Sequence, residues 1–317
     1  MVAASNIKLS IVRSSSVRST SRNSKEWLVH RGHRTFEIAE RLDLMAEQGL
    51  AMVAQFRDEE RETEMIANWS KDTLVHKCAR WAAHEMFYDE TSGPYVRVDI
   101  VGDEPGELCS YRYLSVTMAL QHYEIEHDVF VVPSPDGEVV RVGGNLSEWQ
   151  ESDKVANSCY EYFSGDLMWS EPYQQLLDQL ADEVFHTVFA NRALLYGLNW
   201  IASRLVSNLS AEKCAETPEV ARLFRARGAG KLKRTTPPAW ARKAVFHRDR
   251  GRCTYCRTDL TGVYDSLGSP NFDHMIPLAI GGLNDVTNLQ LLCWDCNGAK
   301  SDKPLDASEN YRRWFPQ

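Results

Sequence analysis

Two short cysteine pairs constrain this 317-residue chain more than any other feature. Cys253-Thr-Tyr-Cys256 and Cys293-Trp-Asp-Cys296 are separated by 36 residues. A two-residue gap lets both sulfurs of a pair reach one ion, and two such pairs supply four thiolates that close a tetrahedron around Zn²⁺. The stretch between them must then fold as a unit whose ends meet at the metal. The segment Ala239–Gln317 is under 80 residues long, so its apolar core is thin and a structural Zn²⁺ is expected to staple it. A redox role is the competing reading of a CxxC, but two pairs flank one compact unit and neither sits in a βαβ pattern.

The net charge of −8 conceals a division by position. From Arg222 onward, 16 Lys and Arg face 9 Asp and Glu, a balance of +7. The first 221 residues hold 20 against 35, a balance of −15. This asymmetry reads as a basic effector region joined to an acidic domain, in a chain long enough for two cores. Cys78, Cys109, Cys159 and Cys214 are scattered and expected to be small buried residues. With no disulfide framework, the chain suits a reducing, cytoplasmic compartment. The most apolar stretch, Val184–Val206, contains His186, Asn191, Arg192, Asn199 and Arg204, so it reads as a core helix and no membrane span is expected.

The predicted fold class is α+β, a largely helical N-terminal domain with a small sheet followed by a small zinc-stapled domain. Residues 1–24 are a loosely ordered start, with a short strand over Ile7–Val12. Residues 25–224 form the acidic domain. Within it, apolar residues Ile38, Leu42, Met45, Met52 and Phe56 predict a helix over 36–68, and further helices are expected over 71–88 and 172–206. Tyr95–Ile100 alternates as a strand, and Val129–Val132 and Val139–Val142 flank a Pro-Ser-Pro-Asp-Gly turn, which predicts a hairpin. Residues 225–238 are small, basic and proline-terminated, as in an exposed linker, and residues 239–317 are the C-terminal domain. Its first helix follows Pro238, carries Trp240, Val245 and Phe246, and ends near Gly251.

Between and after the cysteine pairs stand Phe272-Asp-His-Met-Ile-Pro-Leu-Ala-Ile-Gly-Gly282, Asn288-Leu-Gln-Leu-Leu-Cys293 and Cys296-Asn-Gly-Ala-Lys300. In that order these motifs resemble the HNH endonucleases, the ββα-metal nucleases, in the variety whose cysteine knuckles bind zinc. The resemblance covers about residues 239–304. It implies that Asp273-His274 lies on the first strand of a hairpin, that Asn288 pins the hairpin loop so that His274 is aimed, and that Asn297 projects from the following helix. Asn297 stands where the family often has His, which favours an oxygen ligand and hence Mg²⁺ over a softer metal.

The residue types agree with that chemistry. Cutting a phosphodiester needs a base to activate water and a cation to neutralise charge on the phosphate. His274 is the expected general base, since imidazole titrates near neutrality. Asp273 and Asn297 offer hard oxygens, suited to Mg²⁺ or Mn²⁺. As strand neighbours, Asp273 and His274 point to opposite faces unless the strand twists, which Pro277 and the Gly281-Gly282 turn permit. Lys300 and Lys303, near the Asn297 helix face, and Arg248, Arg250 and Arg252, ahead of the first knuckle, are candidate phosphate contacts. Trp294 reads as a packing residue, and Trp314 and Phe315 as anchors of the C-terminus. The histidine pairs His30/His33 and His122/His127 lack partners that would make them ligands.

The function expected is a metal-dependent endonuclease acting on nucleic acid, DNA in preference to RNA, in a prokaryotic defence or mobile-element setting. The alternative is a zinc-ribbon module that binds nucleic acid or protein without cutting. The acidic domain is expected to regulate, by docking on the basic nuclease or by recruiting an activating protein partner or a second copy.

Overall fold

The computed structural model describes residues 34–49, 63–101, 108–133, 140–141, 153–225, 230–262, 272–301 and 303. The expected Ile7–Val12 strand, His30, His33, Trp314 and Phe315 lie outside them. The architecture is α+β, with two small sheets.

The first helix, α1 (Thr35–Gln48), buries Ile38, Leu42 and Met45 at the predicted spacing and stops at Gly49, whose φ of 54° is left-handed. Gly49 thus cuts short the longer helix that the apolar pattern predicted, at the residue type that tolerates such a φ. Helix α2 (Leu74–Asp89) is capped where the Thr73 N–H donates to His76 Nδ1 at 3.1 Å. It packs on α5 (Glu171–Val188), with α1 across both. Tyr173, Leu176 and Leu180 are fully buried between these helices.

The predicted helix over 172–206 is two helices. After α5, Asn191 caps α6 (Arg192–Val206), its side-chain oxygen accepting from the Leu194 N–H at 3.2 Å. An asparagine that satisfies an orphan amide starts a new helix more readily than it continues an old one.

In the sheet, β1 (Val96–Val101) is antiparallel to β2 (Leu108–Tyr113), which in turn pairs with β3 (Val140–Arg141). The predicted hairpin between residues 129–132 and 139–142 is replaced by pairing to β2. Val131 bridges Tyr113 and Val140 opposes Ser110, so the local turn signal missed the strand that both segments meet. Helices α3 (Ser115–His122) and α4 (Asp153–Gly165) complete this domain, and a short α7 (Pro218–Ala221) precedes the connector. Cys78, Cys159 and Cys214 are buried, as expected.

The connector differs from a solvated linker. Phe224 bridges Leu232, which is fully buried, and the Lys233 N–H donates to the Leu223 carbonyl at 2.7 Å. An apolar residue in a basic stretch holds residues 230–233 against the first domain. Beyond it, α8 (Ala239–Arg248) buries Ala241, Val245 and Arg248, then turns through Gly251.

The C-terminal hairpin consists of β4 (Phe272–His274) and β5 (Leu289–Leu291), with Asp273 opposite Gln290. Helix α9 (Trp294–Lys300) follows. Phe272, Leu289, Leu291 and Leu292 join Val245 and Cys253 in a small separate core. Met275, Leu278 and Leu283, from the loop joining the strands, instead join the core of the first domain. At about 1.5–3 kcal/mol per fully buried side chain, those three alone make the two domains energetically coupled.

Helix α6 is the seat of that loop. Arg192 Nη2 donates to Gln290 Oε1 at 2.8 Å and Asn199 Nδ2 to Thr287 Oγ1 at 3.1 Å. Gly281 approaches α6 so closely that a Cβ there would come within 2.4 Å of the Ser203 carbonyl. From α2, the Leu74 N–H donates to Asp285 Oδ2 at 2.9 Å, so a carboxylate of the second domain caps a helix of the first.

Candidate active site and metal centre

The four cysteines converge. The Sγ atoms of Cys253, Cys256, Cys293 and Cys296 all lie within 4.8 Å of one another, and those of Cys256 and Cys293 are 3.6 Å apart. Tetrahedral thiolates at a Zn–S distance of about 2.3 Å stand about 3.8 Å apart, so the cluster could hold zinc. No other metal-ligating cluster occurs among the described residues. Hydrogen bonds from Thr258 lower the Cys256 thiol to about 6, whereas burial raises Cys293 and Cys296. Helix α9 begins inside the second knuckle, Cys293 Sγ accepting from the Cys296 N–H. The metal cage and the helix that bears Asn297 are therefore one piece.

Asn288 sits at the centre of the hairpin loop with no exposed surface. Its Oδ1 accepts from the Ile276 N–H at 2.8 Å, and its Nδ2 donates to the carbonyls of Ile276 and Leu283, each at 3.0 Å. The Met275 N–H also donates to its backbone carbonyl at 2.6 Å. A single side chain thus closes the loop immediately after His274.

Asp273 faces α9. Its Oδ2 lies 2.7 Å from Lys300 Nζ, and the two side chains are 14% and 1% exposed. Asn297, half-buried, lies one turn before Lys300, so α9 turns the same face toward the carboxylate. An aspartate oxygen and an amide oxygen beside this face are donors that fit a hard divalent cation. Lys300 is not a solvent-facing phosphate contact as expected, because its ammonium is the buried counter-ion of Asp273.

His274 is more deeply buried than Asp273. The residue is 3% exposed, with both ring nitrogens buried. Burial above all, then the nearby Arg234 and Lys300 charges, lowers its pKa to about 3, with the Asn284 side chain opposing. Burial keeps the imidazole neutral in this conformation but makes it a much weaker base than the near-neutral group expected from the sequence. Its use as a base requires that water reach the ring. The Trp69 ring of the first domain lies against it, centroids 5.9 Å apart.

Arg248, expected to grip a duplex, is buried. Its Nε and Nη2 bind the Asp249 carboxylate at 2.8 and 3.1 Å, its guanidinium covers the Phe189 ring, and it also donates to the Leu289 carbonyl. It lies three and seven residues after Val245 and Ala241, on the buried helix face, a periodicity that could have flagged it. Arg250, Arg252 and Lys303 are exposed. Trp294 is 68% exposed instead of packed, since it is the first residue of α9 and points away from the core. His127 bonds the Ile125 carbonyl and His122 packs against Tyr123.

Residues 253–303 match the family model described as HNH endonuclease. This segment is an HNH domain. No family model matches the N-terminal region. Searches of curated proteins and of solved structures each returned no match to the chain. An HNH domain suggests a nuclease-type function and implies nucleic-acid binding. Among the described residues, no helix is long and apolar enough to cross a membrane.

Sequence reasoning missed the residues that come to this site from elsewhere. Trp69 and Arg234 lie 205 and 40 positions before His274, and nothing in their local pattern marks them. Asp285 had a signal. Followed by Val-Thr-Asn, it is an Asx-type cap, and its Oδ1 accepts from both the N–H and the hydroxyl of Thr287, at 2.8 and 2.7 Å.

Proposed function

We propose that this protein is an endonuclease that hydrolyses nucleic-acid phosphodiester bonds, with DNA as the expected substrate. His274 takes the proton from the attacking water through its neutral ring. Asp273 and Asn297 hold a divalent cation, Mg²⁺ or Mn²⁺, which when bound neutralises charge on the phosphate and on the departing 3′ oxygen. Lys300 holds the Asp273 carboxylate in place, and Asn288 fixes the backbone on which His274 is carried. The four cysteines hold Zn²⁺, which ties the hairpin to α9 and takes no part in the chemistry. Arg250, Arg252 and Lys303 are exposed and would meet phosphates, and the basic balance of the C-terminal region supplies the longer-range attraction.

The observation that carries this reading is the pairing of Asp273 with Lys300, one turn after Asn297 on α9, in a segment that also holds the four-cysteine cluster and matches the HNH family model. An HNH module seated on a large separate domain suits the effector of a prokaryotic defence or mobile-element system, acting in the reducing cytoplasm where thiolate ligands persist. A fold alone does not choose its biology, so this last step rests on domain pairing.

The test is cleavage of supercoiled plasmid and of RNA by zinc-loaded protein, with Mg²⁺ or with EDTA. Mg²⁺-dependent cutting of plasmid that His274→Ala abolishes supports the reading. Equal cutting by both proteins would remove His274 from its role, and cutting of RNA alone would reverse the substrate preference.

A further inference from the structure

A general base must meet water, and its substrate here is a long polyanion. In this conformation His274 meets neither, since its ring is almost wholly covered. The cover is local and identifiable. The Trp69 indole packs against the imidazole, and Thr235 of the connector is hydrogen-bonded to that indole.

A short chain of hydrogen bonds holds Trp69 in place. Its backbone N–H donates to the Asn284 carbonyl at 2.9 Å, extending a single parallel bridge between Asn68 and Asn284. The indole Nε1–H donates to Thr235 Oγ1 at 2.8 Å, and that hydroxyl donates to Asn68 Oδ1 at 2.6 Å. Asn284 Nδ2 completes the ring by donating to the Lys233 carbonyl at 2.8 Å. Residue 68, residue 69, the connector and the HNH loop are thereby laced together directly over His274.

Two further facts separate this lacing from the framework. First, the bonds that seat the HNH loop on the first domain lie elsewhere: Arg192 with Gln290, Asn199 with Thr287, and Leu74 with Asp285. Breaking the lacing leaves them intact. Second, Trp69 has a φ of 57°, a left-handed conformation that bulky residues rarely adopt. The segment is held in a strained backbone by a few neutral hydrogen bonds and one ring contact. The hydrogen bonds of the lacing are all between neutral groups, which differs from the charge-driven docking that the acidic and basic halves suggested.

We propose that Asn68–Trp69 is a strap that keeps the HNH site shut: seated, it denies His274 to water and nucleic acid, and lifted, it opens the site with both domains still joined. The regulatory half of this proposal rests on the nuclease reading, whereas the covering half does not. Activation then consists of anything that draws residues 68 and 69 off the HNH loop and lets Trp69 relax from its left-handed backbone.

The test reads cover and activity separately. Full-length, zinc-loaded protein is treated with diethyl pyrocarbonate, and carbethoxylation of His274 is followed by mass spectrometry, with the exposed His247 as internal reference. Wild type should modify His274 at least about ten-fold more slowly than His247. Trp69→Ala removes the ring, and Thr235→Val removes the hydroxyl with little change of shape, which guards against a folding artefact. Each variant, with zinc content and circular dichroism unchanged, should raise the His274 rate several-fold and Mg²⁺-dependent plasmid cleavage by about ten-fold, the shift expected from losing about one to two hydrogen bonds' worth of closure. Rapid modification of His274 in wild type overturns the strap, as does unchanged protection in both folded variants. Exposure of His274 without any cleavage removes the regulatory role by another route, since it is the nuclease reading that then fails.

Discussion

Replacing Asn288 by alanine should loosen the loop that carries the catalytic strand, by an amount the geometry allows one to work out. The substitution removes one acceptor and two donor bonds, and orphans the Ile276 N–H and the carbonyls of Ile276 and Leu283. All three groups are buried beside a side chain with no exposed surface, so water does not readily replace the amide. At about 1–3 kcal/mol per unsatisfied buried group, reduced by partial relaxation, the loss is about 3–5 kcal/mol. Against a typical total of about 5–15 kcal/mol, that is a large share. Asn288→Asp should be no better. It keeps an acceptor for the Ile276 N–H but turns its second oxygen toward two carbonyl oxygens. Because two coupled domains need not unfold in one step, the sharper assay is native-state hydrogen exchange at the Ile276 amide. Its protection should fall by about a hundred-fold, the equivalent of about 3 kcal/mol. Urea unfolding of zinc-loaded protein should show the matching loss in midpoint. An Ile276 amide as protected as in wild type, or a loss below about 1 kcal/mol, would refute the assignment of Asn288 as the residue that closes the loop.

Other expectations follow from the same contacts. Removing zinc with a strong chelator should unfold the HNH hairpin while α1, α2, α5 and α6 keep most of their helical signal, because the first core is large and the second is thin; unchanged near-ultraviolet dichroism around the hairpin would contradict this. Lys300→Met should destabilise by about 2–3 kcal/mol through an uncompensated, nearly buried carboxylate, and millimolar Mg²⁺ should raise the melting temperature of this variant more than that of wild type. An equal shift in both proteins would place the cation away from Asp273. Gly281→Ala should cost about 2 kcal/mol or more, since its Cβ would meet the Ser203 carbonyl, and proteolysis between the domains should accelerate; resistance equal to wild type would show that the loop is not seated on α6. Asp285→Ala should fray the start of α2, seen as faster exchange at the Leu74 amide, and no change there would remove its capping role.

The parts of this molecule that were legible in the sequence are those encoded by short spacings. The two CxxC pairs, the strand bearing Asp273 and His274, and the helix start after Pro238 each depend on neighbours a few residues away. Helix ends at Gly49 and Asn191 were marked by residue type but were overridden by an apolar periodicity that runs through them. Strand β2 went unread because Leu108–Tyr113 mixes Arg, Ser and Tyr without clean alternation. Arg248 and Lys300 misled because a charged side chain near a nucleic-acid site suggests phosphate, while burial and a nearby carboxylate decide otherwise. The cover over His274 was beyond local reading, for Trp69 and Thr235 reach it only through the packing of two domains.

The measurement that tests the central claim most directly is cleavage of supercoiled plasmid by Trp69→Ala, with and without a second substitution, His274→Ala, at equal zinc content and in Mg²⁺. The strap variant opens the site, so a silent closed state does not confuse the answer. The account predicts nicked or linear DNA from the single variant, none in EDTA, and at least about a hundred-fold less from the double variant, in keeping with the loss of a general base. Equal cleavage by the two proteins, or none by the single variant with His274 shown to be exposed, would contradict it.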